Sequence, residues 1–421
     1  EYVFHYLIVD ILGFSIQFTD SVTDFKNSDL PKLNYSRNNI SDGLFFLSSE
    51  ILFEKTISYQ TIDVSTFKDV KVLFPCTESC LPFDIFAATF YLITRYEEYL
   101  VHQTDQFGRY CHIQSIAFKN NFLHIPVIDY WVIFLKDKFE QYYPGIVFKK
   151  LEFKFYNTID IDNAYAFLEK GAVRTFASTL KDVFRLRFNN LMKRFNVLIF
   201  NALDPYDTYD YILDIHEKYN LDTYFFFLLA NFSGLDRSVS SQSNRLKKLI
   251  NKITNRCNVG IHSSFNSLNN PSKLGLEIKR LNTITNKNTL NNRQHYLKLS
   301  LPHLYRNLIH NNITHDFSMG YPAISGFRAS TSRMFNFFDL EKNICTDLII
   351  HPFSIMDITL NQYMNIDSEQ AKLLIKNHVT MLKEIGGEFV SIWHNESFSE
   401  NGMWKSWKSV YIDMIKCIKN E

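Results

Sequence analysis

The chain has 421 residues, with 45 Lys and Arg against 44 Asp and Glu and a formal net charge of +1. Hydrophobic residues make up 46%, ample for a large core and well outside the disordered range. A charge so near zero offers no electrostatic footprint for nucleic acid or for an anionic membrane.

The length suits two or three domains, or one barrel with an appendage. Phe (39) and Tyr (23) are abundant, which is read as compositional bias and not as an aromatic binding platform. Among six cysteines only Cys76 and Cys80 lie close together. A single C-x3-C is a poor zinc motif, so the six are read as free thiols in a reducing compartment. The apolar run 122–135 contains His124, Pro126 and Asp129, too short and too polar for a transmembrane segment. No basic region followed by an apolar run and a cleavage site opens the chain, so no signal peptide is expected and the location is expected to be cytoplasmic. The chain starts without Met, and leading residues are expected to be missing.

Residues 1 to about 150 read as short strands around one helix over 83–100. Its Phe86, Phe90, Tyr91 and Ile93 form an apolar stripe at helical spacing, expected in the core. From about 151 strands alternate with helices. The spacing predicts strands over 153–160, 223–230, 258–262, 295–299, 313–317, 348–352 and 389–394. It predicts helices over 206–219, 244–255, 272–281, 368–385 and 405–418, with Asp204-Pro205 and Ser368 with Gln370 marking two starts. The continuous apolar run 224–229 suits a parallel strand covered on both faces. The fold class is therefore α/β: a distorted, seven-stranded (β/α) barrel over 151–421, preceded by a smaller α/β domain over 1–150.

Chemistry-bearing residues gather where those strands end. T-I-D-I-D (158–162) closes the first strand, G-I-H-S-S-F-N (260–266) the third, H-D-F-S (315–318) the fifth and W-H-N (393–395) the seventh, while R-Q-H-Y (293–296) opens the fourth. The C-terminal ends of parallel barrel strands converge on one mouth. Asp160 and Asp162, two apart in a strand, point to the same face. Two carboxylates at one place repel unless a cation or a shared proton separates their roles. A metal on one, with the other free as a base, resolves that cost; so does a strand-end turn in which each accepts backbone N–H bonds. His262 can ligate a metal or sit as a hydrogen-bonded core histidine. His394 has a reference pKa suited to a general acid, with Asp316 as its orienting carboxylate, and Arg293 can pin Asp160 in a bidentate pair. For Arg293, Asp316 and His394 the plain alternative is a hydrogen-bonded loop residue.

In this order the motifs resemble, over about 151–420, the polysaccharide deacetylases with a NodB-homology domain. P-F-D-I-F-A-A-T-F-Y-L-I-T-R-Y-E-E-Y (82–99) and D-Q-F-G-R-Y (105–110) look like the uncharacterised domain that precedes it in a bacterial subgroup. The resemblance implies a divalent metal, most often Zn2+, and removal of acetyl groups from an N-acetylated carbohydrate. It implies Asp160 as general base, Asp162 and His262 as metal ligands, and Arg293 as the residue orienting the base. It further implies a backbone N–H near Tyr296 for the oxyanion, Asp316 orienting the acid, and His394 as that acid.

The family's metal motif carries a second His four residues after the first, where this chain has Asn266, a weaker zinc ligand than imidazole. His295 stands where the family often has Pro and could compensate. Two further runs, 318–331 and 351–360, resemble stretches of the subgroup to which no role is attached. Two other readings stay open: an amidohydrolase of a non-sugar amide, and a catalytically silent glycan-binding or scaffold protein, for which Asn266 speaks.

Overall fold

The structure is a computed structural model that describes residues 1–40 and 43–421. Nine strands form its main sheet: β1 (Lys154–Ile161), β2 (Thr223–Phe227), β3 (Asn258–Ser263), β4 (Asn291–Gln294), β5 (His315–Asp316), β6 (Phe335–Asp339), β7 (Ile344–Ile350), β8 (Ile355–Met356) and β9 (Glu388–His394). Their order is β6-β7-β5-β4-β3-β2-β1-β9-β8. Every neighbouring pair is parallel except the β6–β7 hairpin.

Among the described residues no ladder joins β8 back to β6. A nine-stranded mixed sheet with open hydrogen-bonded ends thus stands in place of the expected seven-stranded barrel. The fourth strand lies at 291–294, not 295–299, because Tyr296 (φ 61) and Leu297 (φ 52) are left-handed and cannot continue an extended ladder. The strands β6 and β8 were not expected; the second is a two-residue pairing with no periodicity to read.

The apolar run in β2 is buried on both faces, with Phe225, Phe226 and Phe227 all inaccessible or nearly so. Gly260 in β3 makes that packing possible, since a Cβ there would stand 2.6 Å from the Phe226 ring. Register then sets the mouth: His394 on β9 pairs with Asp160 on β1, and His262 on β3 with Arg293 on β4.

Helices cover the sheet. Among the described residues the α-helices of eight residues or more, the first two of them in the N-terminal part, are α1 (Ile85–Ile93), α2 (Val127–Tyr142), α3 (Ala172–Phe184), α4 (Phe188–Ile199), α5 (Tyr209–Tyr219), α6 (Asn244–Thr254), α7 (Pro271–Thr285), α8 (His303–His310), α9 (Ser368–Glu384) and α10 (Trp407–Lys419). On the outer side of β1 Asn157 donates to Tyr411 of α10 at 2.8 Å, so alternate residues of one strand serve the helix layer and the mouth. Asp367 and Gln370 form a capping box at the start of α9. Asp204 does not start α5, which begins five residues later. Its carboxylate instead accepts the backbone N–H groups of Ala166, Phe167, Leu168 and Tyr206.

In the N-terminal part the expected helix over 83–100 is α1 followed by a separate 3-10 turn, Tyr96–Glu98. Asp84 caps its first turn, and left-handed Arg95 (φ 56) ends its path. Within the apolar run 122–135 lies the start of α2. One continuous buried cluster extends from Val3 through α1, α2 and the sheet to Ile418.

Candidate metal centre

The mouth of the sheet holds a cavity of 220 Å³ lined by Asp160, Asp162, His262, His295 and His394 among others. A larger cavity of 810 Å³ lies against the N-terminal helix, away from these groups. Titratable side chains converge on the smaller one.

Asp162, His262 and His295 each offer a ligand atom within 4.8 Å of the others'. His262 Nε2 stands 3.0 Å from Asp162 Oδ1, and His295 Nε2 3.4 Å from Asp162 Oδ2. Both rings face the site with Nε2, because Nδ1 is already engaged. His262 Nδ1 donates to the Arg293 carbonyl at 2.8 Å, and His295 Nδ1 donates to Asp236 at 2.9 Å. That is the outer-shell arrangement that fixes the tautomer of a ligating histidine. Separations of 3.0 and 3.4 Å suit ligand atoms about 2.0–2.1 Å from a shared zinc-sized ion. The buried Asp160 Oδ1 has no hydrogen-bond partner among the described residues. These residues fit a divalent metal.

Charge at the site agrees with the geometry. Burial raises the Asp162 pKa, yet His295 and His262 outweigh it and hold the carboxylate well below its usual range. Burial likewise disfavours a charged His295, but Asp162 and Asp236 bring its pKa up to about 9. Asp162 thus favours positive charge beside it, whether a proton or a cation.

Asp160 lies beside the cluster, with Oδ2 3.8 Å from His262 Nε2. The expected bidentate pair with Arg293 is absent: Nη1 is 3.9 Å from Asp160, and Nη2 donates to Thr158 at 2.8 Å. Fully buried Arg293 lies over the Phe226 and Phe353 rings, where that packing holds the guanidinium short of a two-pronged contact.

Two expectations need correction. Asn266 is exposed, and its amide donates to Asp236 and Ser233, so it stands outside the cluster; the loop after β3 turns it away from the mouth. His295 is the third donor. Asp316 does not orient His394, because it is spent on Asn292 and Ser318. His394 Nδ1 donates to Asp357 at 2.8 Å, and the same carboxylate accepts from the His394 backbone and from Ser397. Burial works against a charged His394, but Asp357, then Asp162 and Asp160, raise its pKa to about 10.

Asp236, Asp357 and Arg109 escaped the sequence reading. Asp357 and Arg109 fall inside runs already singled out, 351–360 and 105–110. Arg109 reaches in from the N-terminal part, donating to the Tyr296 carbonyl at 3.0 Å and to Tyr363 at 3.3 Å.

Residues 1–144 match a family described as a family of unknown function, DUF7033. No curated protein matches the chain. Solved structures resemble it distantly. A Mycobacterium smegmatis protein provisionally described as a polysaccharide deacetylase gives a TM-score of 0.41 at 13% identity, over 64% of this chain and 86% of that one. The Bacillus cereus polysaccharide deacetylase gives 0.31 at 12%, over 63% and 87%. A Pseudomonas aeruginosa PAO1 protein described as a probable polysaccharide deacetylase gives 0.38 at 10%, over 64% and 85%.

Proposed function

We propose that the mouth is the active site of a metal-dependent hydrolase that removes an acetyl group from an N-acetylated carbohydrate. One observation carries the reading: Asp162, His262 and His295 gather three donor atoms, and a second carboxylate and a third imidazole stand beside them without joining. The sugar class follows from the order of the sequence motifs.

A divalent cation held by Asp162, His262 and His295, zinc by its donor set, would supply Lewis acidity toward water and an acyl oxygen. Asp160 takes the proton from the attacking water, its Oδ1 being free of other partners. Arg293 Nη1 stands beside that base, 3.9 Å from Asp160 Oδ2. The left-handed turn at Tyr296 and Leu297 presents backbone N–H groups to the developing oxyanion. His394, its Nδ1 tied to Asp357, delivers a proton from Nε2 to the leaving amine. Among the described residues no carboxylate competes for the His394 ring within hydrogen-bond distance on the mouth side, where Asp162 is 4.0 Å away.

The test is metal content by mass spectrometry of the purified chain and of Asp162→Ala, each reconstituted with zinc, followed by an assay on N-acetylated sugars. Stoichiometric metal lost in Asp162→Ala, with turnover lost and metal kept in Asp160→Asn, is expected. Turnover retained in Asp160→Asn would overturn the role of the base. Metal absent from the parent would overturn the reading as a whole.

A further inference from the structure

The first excursion from the sheet, between β1 and α5, is a helical hairpin built inside out. A surface helix ordinarily turns its apolar stripe toward the core. In α3 Val173, Phe176, Leu180 and Phe184 share one face, and in α4 Phe188, Met192, Phe195 and Ile199 share another; all eight are exposed. The contact between the helices is polar instead. Arg194 pairs with Asp182 at 2.7 Å and donates to Thr179 at 2.9 Å. Within the two helices only Asp182, Arg194 and Val197 are buried. The tip, Phe184-Arg185-Leu186-Arg187-Phe188, alternates apolar and cationic side chains, with its three apolar residues 83%, 71% and 66% exposed.

We propose that this hairpin docks on an anionic lipid surface. Its charge selects that occupant. Residues 171–203 carry Arg174, Lys181, Arg185, Arg187, Lys193 and Arg194 against the single carboxylate of Asp182, whereas Lys and Arg barely balance Asp and Glu over the whole chain. A protein–protein interface core is depleted in Lys and in unpaired charge. Helices that lie in a membrane interface combine Phe and Leu on one side with Lys and Arg at the boundary, where long cationic side chains reach the phosphates. The helices have 13 and 12 residues, and among the described residues no helix is long and apolar enough to cross a membrane. The hairpin therefore lies on the surface with its tip dipping between headgroups. The inference holds whether or not the mouth is catalytic.

The experiment is sedimentation of the full chain with vesicles of phosphatidylcholine alone or mixed with phosphatidylglycerol, at low and high salt. The parent is expected to sediment with the anionic vesicles, and salt is expected to weaken it. Phe184→Asp/Phe188→Asp and Arg185→Glu/Arg187→Glu are each expected to lose about tenfold or more in binding. Because these side chains are exposed, both variants keep the parent Tm and so test docking apart from folding. No sedimentation of the parent, or unchanged sedimentation of both variants, would overturn the proposal. So would a parent that avoids vesicles but dimerises in sedimentation velocity, with the dimer lost in Phe184→Asp/Phe188→Asp, for the patch would then belong to a second copy.

Discussion

His394 sits among carboxylates, and they decide when it gives up its proton. Burial alone would leave the ring neutral at pH 7, but Asp357 at 2.8 Å, helped by Asp162 and Asp160, raises its pKa to about 10. The ring is then protonated at neutral pH, the state a general acid needs, and activity that depends on it falls as pH rises through that pKa. In Asp357→Asn the shape is kept and the largest upward pull is removed. The alkaline limb of the kcat profile is expected to move to lower pH, with kcat down about 10- to 100-fold. An alkaline limb that stays in place would separate Asp357 from the acid. His295→Ala and Asn266→Ala make a second comparison: metal is expected to be lost from the first and retained in the second, read by mass spectrometry. Asp160, Asp162, His262 and His394 were legible because strand alternation and strand ends mark them. Asp236 and Asp357 were not, since they approach their histidines from a loop 59 residues away and from the helical turn after β8, 37 residues away, where no periodicity marks them.

The segment 105–110 shows how a short element outside the sheet shapes the mouth. Gly108 is left-handed (φ 74), and Asp105 accepts the backbone N–H groups of Phe107 and Arg109 as well as Arg109 Nε. This closed turn aims the guanidinium at the Tyr296 carbonyl, while the Phe107 ring lies 5.0 Å from the Tyr296 ring. Tyr296 and Leu297 carry left-handed strain on the order of 1–3 kcal/mol each, which needs such external support. Arg109→Ala is expected to lower turnover with metal content intact. Arg109→Lys is expected not to rescue it, because a single ammonium cannot reach both Tyr296 and Tyr363. Turnover restored by Lys would mean that charge alone matters there. The same strain explains why strand four was misplaced: R-Q-H-Y reads as extended sequence, and nothing local announces two successive left-handed residues. The hairpin of α3 and α4 is the opposite case. Neither helix was expected, although apolar residues recur at helical spacing over 173–184 and 188–199, and the near-zero charge of the whole chain conceals the local excess of cations.

At the scale of the molecule, the N-terminal part and the sheet share buried charge as well as buried apolar surface. Glu98 accepts from Arg95 at 2.8 Å, and its other oxygen accepts from Arg328 at 2.5 Å across 230 residues. Asp129 on α2 accepts from Thr331 and Ser332, and Tyr6 pairs with Thr331. The run 318–331, without a role in the sequence, is thus the seam between the two parts. Burial raises the Glu98 pKa, but Arg328 and Arg95 outweigh it and lower it from 4.5 to about 2. A carboxyl whose folded pKa is depressed adds stability that is complete above its unfolded pKa and is lost as pH falls toward the folded one. Tm is therefore expected to drop between pH 4.5 and about 2, through other carboxylates as well as Glu98. Glu98→Gln leaves buried Arg328 without its carboxylate partner, while Arg95 keeps Glu97 at 2.7 Å, at a cost of about 3–5 kcal/mol at neutral pH. It should also flatten the acid slope, because the variant has no proton to take up at that position. Since the pair bridges both parts of one continuous core, urea unfolding followed by tryptophan fluorescence and by far-ultraviolet circular dichroism is expected to give a single coincident transition. Two separated transitions would mean that each part folds alone, and Glu98→Gln would then shift only the seam.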